Sequence, residues 1–302
     1  MTGRMETARM VCTAGLLLLP LLCGLSLVTF GKAQAALRPP KVRVAMCQTL
    51  CVDSDRQGNF ERIEKALAEA QKGRAQIACL PESAILGWVN PEAHRLAYPI
   101  PGKDSDRLAE LARRCGLMLC VGLEEKDGDC LYGSVILIDR DGRLLLKHRK
   151  INVLPELMTP PYTPGSPSDI KSVETEFGRI GLLICADTFA PRHLEIMRDQ
   201  KPDLVLVPYG WAAKPEEWPQ HGDKLRDTVA KAARVIGAPV VGTDNIGTIT
   251  HGPWTGRTYG GQSVACDADG NVLSRGKDRE SQVLVFDVPV GWKEPKKSDT
   301  SK

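Results

Sequence analysis

The chain has 302 residues, of which 42% are hydrophobic and 25% are charged, a balance that is ordinary for a globular protein. Forty lysines and arginines stand against 37 acidic residues, which gives a formal net charge of +3. This balance does not indicate the concentrated basic face that a nucleic-acid-binding protein needs, so we expect no nucleic-acid partner.

The first 35 residues have the features of an export signal. A polar start containing Arg4 and Arg9 precedes an apolar run at residues 11–30, and Ala33-Gln34-Ala35 supplies a small-x-small cleavage pattern. We therefore predict that residues 1–35 are a signal peptide and that the mature protein is periplasmic or secreted. The alternative is an uncleaved membrane anchor at residues 11–30, because a run of about 20 residues is long enough to span a bilayer.

The ten cysteines fall to eight when the two in the leader are removed. An even number permits disulfides in an exported protein, and the spacing allows Cys47 with Cys51, or Cys115 or Cys120 with Cys130. Several of the eight lie in apolar runs, which are more typical of buried free thiols. No repeated C-x-x-C spacing indicates a structural zinc site, and the five histidines have no metal-ligand spacing.

Strand and helix patterns alternate from Lys41 onward. In the first half they predict strands at 42–47, 77–80, 117–122, 134–138 and 143–148, and helices at 59–71 and 105–115. The turn signal at 139–142 predicts an antiparallel hairpin between the last two strands. The alternation is typical of a mixed α/β protein.

The second half repeats this alternation. The patterns predict strands at 179–185, 203–207, 239–243, 263–266, 272–274 and 282–287, helices at 191–198 and 223–236, and a second hairpin turn at 267–270. No repeat or proline-rich linker divides residues 41–290, so we predict a single domain there. Residues 291–302 are predicted to be a polar, disordered tail.

Three reactive side chains lie at or just past predicted strand ends, where open α/β sheets gather their sites: Glu82, Lys150 and Cys185. A thiol can attack a carbonyl carbon, a carboxylate can take and return its proton, and a lysine can stabilise the resulting oxyanion. Taken singly, each has a more ordinary interpretation as a loop acid, a solvated lysine and a core cysteine. Taken together, they are sufficient for acyl transfer.

The sequences around these residues point to a family. LPES surrounds Glu82, HRKINVLPE surrounds Lys150 and GRIGLLICADTFAPR surrounds Cys185. In this order and spacing, they resemble the nitrilase-like carbon–nitrogen hydrolase superfamily. The resemblance extends over about residues 41–287, nearly the whole of the predicted mature chain.

The resemblance implies a four-layer α–β–β–α sandwich, often a dimer packed through the helices beside the active site, so we expect a homodimer or higher homo-oligomer. It implies that Glu82 is a general base and then an acid, and that Cys185 forms a thioester. Lys150 and the backbone N–H of Ala186 would stabilise the oxyanion. Glu156 matches a further acid that positions substrate and the lysine. The resemblance implies no metal or organic cofactor.

The leading hypothesis is therefore an amidase-type hydrolase of a small carboxamide or N-carbamoyl compound that releases ammonia or an amine. Phe189 and Trp211, with Trp88 and Trp218, follow predicted strand ends. They are expected either to line the substrate pocket or to pack against its rim.

Four alternatives remain. N-acyl transfer onto a lipoprotein is disfavoured because it is expected to need several membrane spans, and the sequence has one apolar run. A nitrilase is disfavoured because Ala186-Asp187 stand where the nitrile-cleaving branch often has Trp-Glu. A catalytically silent binding module is disfavoured because all three reactive residues are present. A Cys–His peptidase would need a histidine such as His193 beside Cys185, and a helical His193 is expected to point elsewhere.

Overall fold

The computed structural model describes residues 41–295. The predicted signal peptide, the alternative anchor at residues 11–30 and most of the predicted tail lie outside these residues. Within residues 41–295, no helix combines the length and the apolar character that crossing a membrane requires.

Strands and helices alternate through these residues, largely as the sequence predicts. The five α-helices of residues 41–295 are α1 (Arg56–Lys72), α2 (Ala93–Leu96), α3 (Lys103–Cys115), α4 (Pro191–Asp199) and α5 (His221–Ile236). The strands of the first half are β1 (Lys41–Gln48), β2 (Ile77–Cys79), β3 (Met118–Asp127), β4 (Cys130–Ile138), β5 (Leu144–Arg149), β6 (Ser172–Thr175) and β7 (Gly178–Leu182). Those of the second half are β8 (Leu204–Tyr209), β9 (Ala212–Ala213), β10 (Val240–Asp244), β11 (Ile246–Thr248), β12 (Thr258–Gly260), β13 (Val264–Cys266), β14 (Val272–Arg275) and β15 (Gln282–Pro289).

The first sheet has six strands in the order β15-β1-β2-β3-β4-β5. The central strands β1, β2 and β3 are parallel, whereas β15, β4 and β5 pair antiparallel with their neighbours. The turn between β4 and β5 is the predicted hairpin. Asp139 accepts the N–H groups of Asp141 and Arg143 there, and Gly142 has φ +78°, a conformation that favours glycine.

The second sheet repeats this plan in the order β14-β13-β10-β8-β7-β6, again with three parallel strands at its centre. The hairpin of β13 and β14 is the second one that the sequence predicts. A third, small sheet of β11, β12 and β9 was not predicted. Its strands have only two or three residues each, too few to show a period.

Side-chain alternation along β1 shows how the layers stack. Val42, Val44 and Met46 belong to the core between the two sheets, whereas Ala45 and Cys47 belong to a second core beneath α1 and α3. Helices α4 and α5 cover the outer face of the second sheet. The architecture is the predicted four-layer α–β–β–α sandwich. Asp55 caps the N-terminus of α1, where its carboxylate accepts the N–H of Gly58 at 3.1 Å.

Two boundaries differ from the sequence prediction. The sequence predicts a disordered tail at residues 291–302, but Trp292 Nε1 donates to the Ile236 carbonyl at 3.0 Å and the Lys293 N–H donates to the Gly237 carbonyl at 2.7 Å. The apolar indole packs against the core, which holds this segment on the domain. Strand β7 ends at Leu182 rather than at Cys185, because residues 185–189 turn into a short 3₁₀ helix.

Candidate active site

The three reactive residues converge although they come from different strands. Glu82 lies three residues past β2, Lys150 directly follows β5, and Cys185 lies three residues past β7. The strands β2 and β5 belong to the first sheet and β7 belongs to the second. The site therefore forms where the two sheets meet, which no local sequence pattern could show.

Glu82 and Lys150 form a buried ion pair. Lys150 Nζ donates to Glu82 Oε1 at 2.5 Å, and the two side chains are only 3% and 1% exposed. Burial alone lowers the pKa of Lys150, but the adjacent carboxylate outweighs it, so that pKa is raised and the ammonium stays charged. The second carboxylate oxygen, Glu82 Oε2, is buried and has no hydrogen-bond partner among the described residues. It is free to accept a proton.

Cys185 occupies a strained turn at the start of the 3₁₀ helix. Its φ is +37°, which is unfavourable for a residue with a side chain and which commonly marks functional positions. The backbone of Gly210 lies close enough to Sγ to lower the pKa of this thiol. Burial raises the pKa of this thiol, and the charge of Glu82 adds to the effect while Lys150 opposes it. The resting group is therefore a thiol, and a base would be needed to make it a nucleophile.

Gly210 is tightly constrained at this point. A Cβ at Gly210 would lie 3.1 Å from Glu82 Oε2, so a larger residue would push on the carboxylate. The same loop thus lies against both Cys185 and Glu82.

Asp187 connects the loop of Lys150 to the turn of Cys185. Its buried carboxylate accepts His148 Nε2 at 2.8 Å, the N–H of Ile151 at 3.0 Å and the N–H of Asn152 at 2.9 Å. It also accepts the N–H of Ile184 at 3.3 Å. Burial raises the pKa of Asp187, but His148 and these donors outweigh it and lower that pKa, so the group stays charged.

In the sequence, Asp187 stands out only as a neighbour of Cys185. Its role as a bridge depends on His148 and on residues 151–152, which lie about 35 positions earlier in the chain. The local signal of this role is an acid two residues after a reactive cysteine.

Cys185 opens into a cavity of about 200 Å³. Phe189 and Trp211, both predicted to lie near a substrate, line it, and so does Trp88. The rings of Phe189 and Trp211 meet edge to face at 5.6 Å. Trp218 does not line this cavity; its Nε1 donates to the Thr258 carbonyl at 3.1 Å, and the ring packs inside the fold.

Glu156 does not join the site as the sequence predicted. It is exposed on a short 3₁₀ helix at residues 155–157 and does not line the cavity. The turn that follows Lys150 directs it to solvent. Ala186 is fully buried beside Cys185, and its N–H belongs to the first turn of a helix, where such donors lack a partner within the helix.

A second buried acid, Glu124, lies behind Glu82 and was missed by the sequence analysis. Both of its oxygens are buried without a hydrogen-bond partner among the described residues. Burial raises the pKa of Glu124 to about 8, and the charge of Glu82 contributes. The group is therefore mainly protonated at neutral pH. Asp244 is also buried, and it accepts the N–H of Trp211 at 2.6 Å.

The other reactive groups form no competing site among the described residues. His193 Nδ1 lies 3.2 Å from the backbone oxygen of Asp187, so it is not directed at Cys185. All eight cysteines of residues 41–295 are free thiols. No group of three or more histidine, cysteine or acidic side chains in this part of the chain could hold a metal ion.

Comparison with known proteins gives a matching family model and several similar proteins. A model of the carbon–nitrogen hydrolase family matches residues 43–294. Nitrilase 3 from Arabidopsis thaliana is 27% identical over 84% of this chain and 84% of its own length. Several other curated relatives align over only about half of their length, 49% in each case.

Solved structures share the fold. A carbon–nitrogen hydrolase from Helicobacter pylori G27 superposes with a TM-score of 0.73, at 19% identity over 82% of this chain and 89% of that one. A mutant amidase from Nesterenkonia sp. AN1 superposes with a TM-score of 0.71, at 23% identity over 82% of this chain and 90% of that one. In that mutant, the acetamide moiety of fluoroacetamide is covalently attached to the active-site cysteine.

Proposed function

The chain belongs to the carbon–nitrogen hydrolase family, and on that premise we propose that it hydrolyses the carbon–nitrogen bond of a small carboxamide or N-carbamoyl compound, with Cys185 as the nucleophile. The observation that carries this proposal is the juxtaposition of a buried Glu82–Lys150 pair with a thiol at the base of a cavity. The three groups supply a base, a cation and a nucleophile in one enclosed site.

The first half of the reaction forms a thioester. Glu82 Oε2 takes the proton of the Cys185 thiol as sulfur attacks the carbonyl carbon. Lys150 Nζ and the N–H of Ala186 stabilise the negative oxygen of the tetrahedral intermediate. When this intermediate collapses, the C–N bond breaks, Glu82 gives its proton to the leaving nitrogen, and ammonia or an amine departs.

The second half releases the acid. Glu82 takes a proton from water, whose oxygen attacks the thioester carbon, and Lys150 again stabilises the oxyanion. Collapse breaks the C–S bond, and the sulfur regains the proton from Glu82. Asp187 takes no part in these steps, but it holds the Lys150 loop against the Cys185 turn.

The proposal is tested by incubating the purified protein with a panel of amides, N-carbamoyl compounds and nitriles, measuring ammonia, and trapping the acyl-enzyme for mass spectrometry. We expect an adduct on Cys185 that Cys185→Ala abolishes. Cys115→Ala is the matched control, since Cys115 is a half-buried thiol on the end of α3. Absence of both turnover and an adduct on Cys185 would contradict the proposal.

A nitrilase is the second candidate, favoured by the relationship to Nitrilase 3 over 84% of both chains. The same panel of amides, N-carbamoyl compounds and nitriles distinguishes a nitrilase from an amidase. Turnover of nitriles without turnover of amides selects the nitrilase, whereas the reverse selects the amidase. A protein that binds amides without cleaving them would be a silent binding module.

We also propose that the protein acts outside the cytoplasm and as a homo-oligomer. The export proposal is supported by the leader pattern at residues 1–35, and N-terminal sequencing of the mature protein should begin at Ala36. A start at Met1 would favour the anchor. Light scattering on the purified protein tests the oligomer, and a monomeric mass would contradict it.

A further inference from the structure

Strand β10 leads into the site through two fully buried polar residues, Asp244 at its end and Asn245 just after it. Asp244 Oδ1 accepts the backbone N–H of Trp211 at 2.6 Å, and Asn245 Nδ2 donates to the main-chain oxygen of Glu82 at 2.7 Å. The end of this strand therefore contacts both the segment that carries the proposed base and the loop that lines the cavity.

The loop of Gly210 and Trp211 connects β8 to β9 and lies close to the reacting groups. Both of its residues line the cavity together with Cys185. A Cβ at Gly210 would lie 3.1 Å from Glu82 Oε2, and the Glu82 N–H donates to the Tyr209 carbonyl at 3.2 Å, where the loop begins. A shift of the main chain of this loop would therefore disturb the spacing of Glu82 and Cys185.

The carboxyl group of Asp244 is buried at a cost in free energy. Its Oδ2 is buried and has no hydrogen-bond partner among the described residues. Burial raises the pKa of Asp244 well above its usual value; the N–H groups of Trp211 and Asn245 oppose this, and the charge of Glu82 adds to it. The neutral acid is therefore favoured, and it still offers Oδ1 as an acceptor to the loop.

The indole ring of Trp211 is held separately from its main chain. Its Nε1 donates to the His221 carbonyl at 3.3 Å, and the ring meets those of Phe189 and Tyr209 edge to face at 5.6 and 6.0 Å. Loss of the bond to Asp244 would therefore release the main chain of the loop while the ring keeps its place in the cavity wall.

We propose that Asp244 is a positioning residue for the hydrolysis, which accepts the Trp211 N–H and so fixes the loop of residues 210–211 against Cys185 and Glu82. Asp244 does not line the cavity, so it acts through this loop and not on the substrate. The inference rests on the proposed function and adds a residue to it. Proton transfer from sulfur to carboxylate needs hydrogen-bond reach, and a misplacement of about 1 Å can cost about a hundredfold in rate.

The test measures kcat and KM of Asp244→Asn, Asp244→Ala and Asp244→Leu with the compound of the amide, N-carbamoyl and nitrile panel that the wild type hydrolyses fastest. Asparagine keeps a carbonyl oxygen for the Trp211 N–H, whereas alanine and leucine do not. Leucine has a branched side chain of similar shape to aspartate, so it guards against a collapse of the fold around alanine. Hydrogen exchange of the Trp211 amide, followed by mass spectrometry, reports the bond itself without any substrate.

Asp139→Ala is the matched control. Asp139 is also a buried acid that accepts backbone N–H groups, but it lies in the hairpin turn between β4 and β5 and does not line the cavity. Its loss should lower the free energy of unfolding and leave kcat and KM unchanged.

We expect Asp244→Ala and Asp244→Leu to lower kcat by about ten- to a hundredfold and to keep KM within about threefold, because the indole of Trp211 stays in the wall. In both variants the Trp211 amide should exchange faster than in the wild type. Asp244→Asn should restore the protection of this amide and keep kcat within about threefold of the wild type.

Several outcomes would overturn the inference and leave the proposed function standing. They are an unchanged kcat in the alanine and leucine variants, a change confined to KM, or a fall of kcat in Asp244→Asn as large as in Asp244→Ala. Failure of both Asp244→Ala and Asp244→Leu to fold would assign Asp244 to stability alone, which also contradicts the inference. Absence of wild-type turnover with every compound of the panel instead contradicts the proposed function, and the role of Asp244 with it.

Discussion

Replacing Asp187 tests whether one buried carboxylate holds the site together. Asp187→Ala leaves four N–H donors without an acceptor around a position that is itself fully buried. Each buried donor left unsatisfied costs about 1–3 kcal/mol, and losses within one network do not simply add. We therefore expect the free energy of unfolding to fall by about 3–5 kcal/mol, as when a buried pair loses one partner.

Asp187→Asn is the sharper variant. Its amide oxygen can still accept the N–H groups of Ile151 and Asn152, and His148 can shift its proton to Nδ1, which has no partner among the described residues. The N–H of Ile184 then faces an amide N–H₂ group. One unsatisfied contact remains, so we expect a loss of about 1–3 kcal/mol. We also expect kcat to fall in this variant, because the segment of residues 148–152 that Asp187 holds contains Lys150.

Urea unfolding and amide turnover are measured on both variants, with Asp199→Asn as a control because Asp199 is 62% exposed on α4. The pKa of Asp187 is lowered in the fold, so its contribution is fully present above its unfolded pKa of about 3.9 and is lost as pH falls below that value. A loss under about 1 kcal/mol for Asp187→Ala, equal to that of the control, would refute the reasoning.

Three further predictions concern the site. Cys185→Ala should lower turnover by about 10⁴-fold or more, measured as ammonia release, with circular dichroism unchanged; residual activity near wild type would mean another nucleophile. Glu124→Gln should become stabilising relative to wild type as pH rises from about 5 to 8. The raised pKa of Glu124 makes ionisation oppose folding by about 1.4 kcal/mol per pH unit, and pH-dependent urea unfolding checks this; a pH-independent difference would contradict it. Trp211→Ala should raise KM for apolar amides about tenfold, because it removes a cavity wall and its edge contact with Phe189, whereas an unchanged KM would place the substrate elsewhere.

Much of the fold follows from local patterns in the sequence. Alternating strands and helices, the two Asp-Gly hairpin turns and the family resemblance predicted a four-layer sandwich, and the structure has it. Periodicity works for these elements because each buries one face over several residues. It fails for β9, β11 and β12, whose two or three residues are too few to repeat a pattern.

For the site as well, the sequence predicts the residue types, whereas the contacts between them depend on the tertiary structure. Glu82, Lys150 and Cys185 were predicted from residue type and flanking motif, and these are local properties of the chain. That Lys150 and Glu82 lie 2.5 Å apart was decided by tertiary structure, because the two residues are 68 positions apart on different strands. Glu156 shows the limit of analogy, since a matching acid in sequence is exposed here.

Residue types and their order define the chemistry that is available: an acid, a lysine and a thiol at strand ends. The environment of each group, in contrast, depends on how the whole chain folds. Burial keeps the Cys185 thiol protonated and neutralises Glu124, and packing joins Asp187 to a loop about 35 residues away. Packing also brings Arg257 to the cavity that Cys185 lines. Solvent exclusion and long-range contact depend on the whole chain at once, so no local window of residues encodes them.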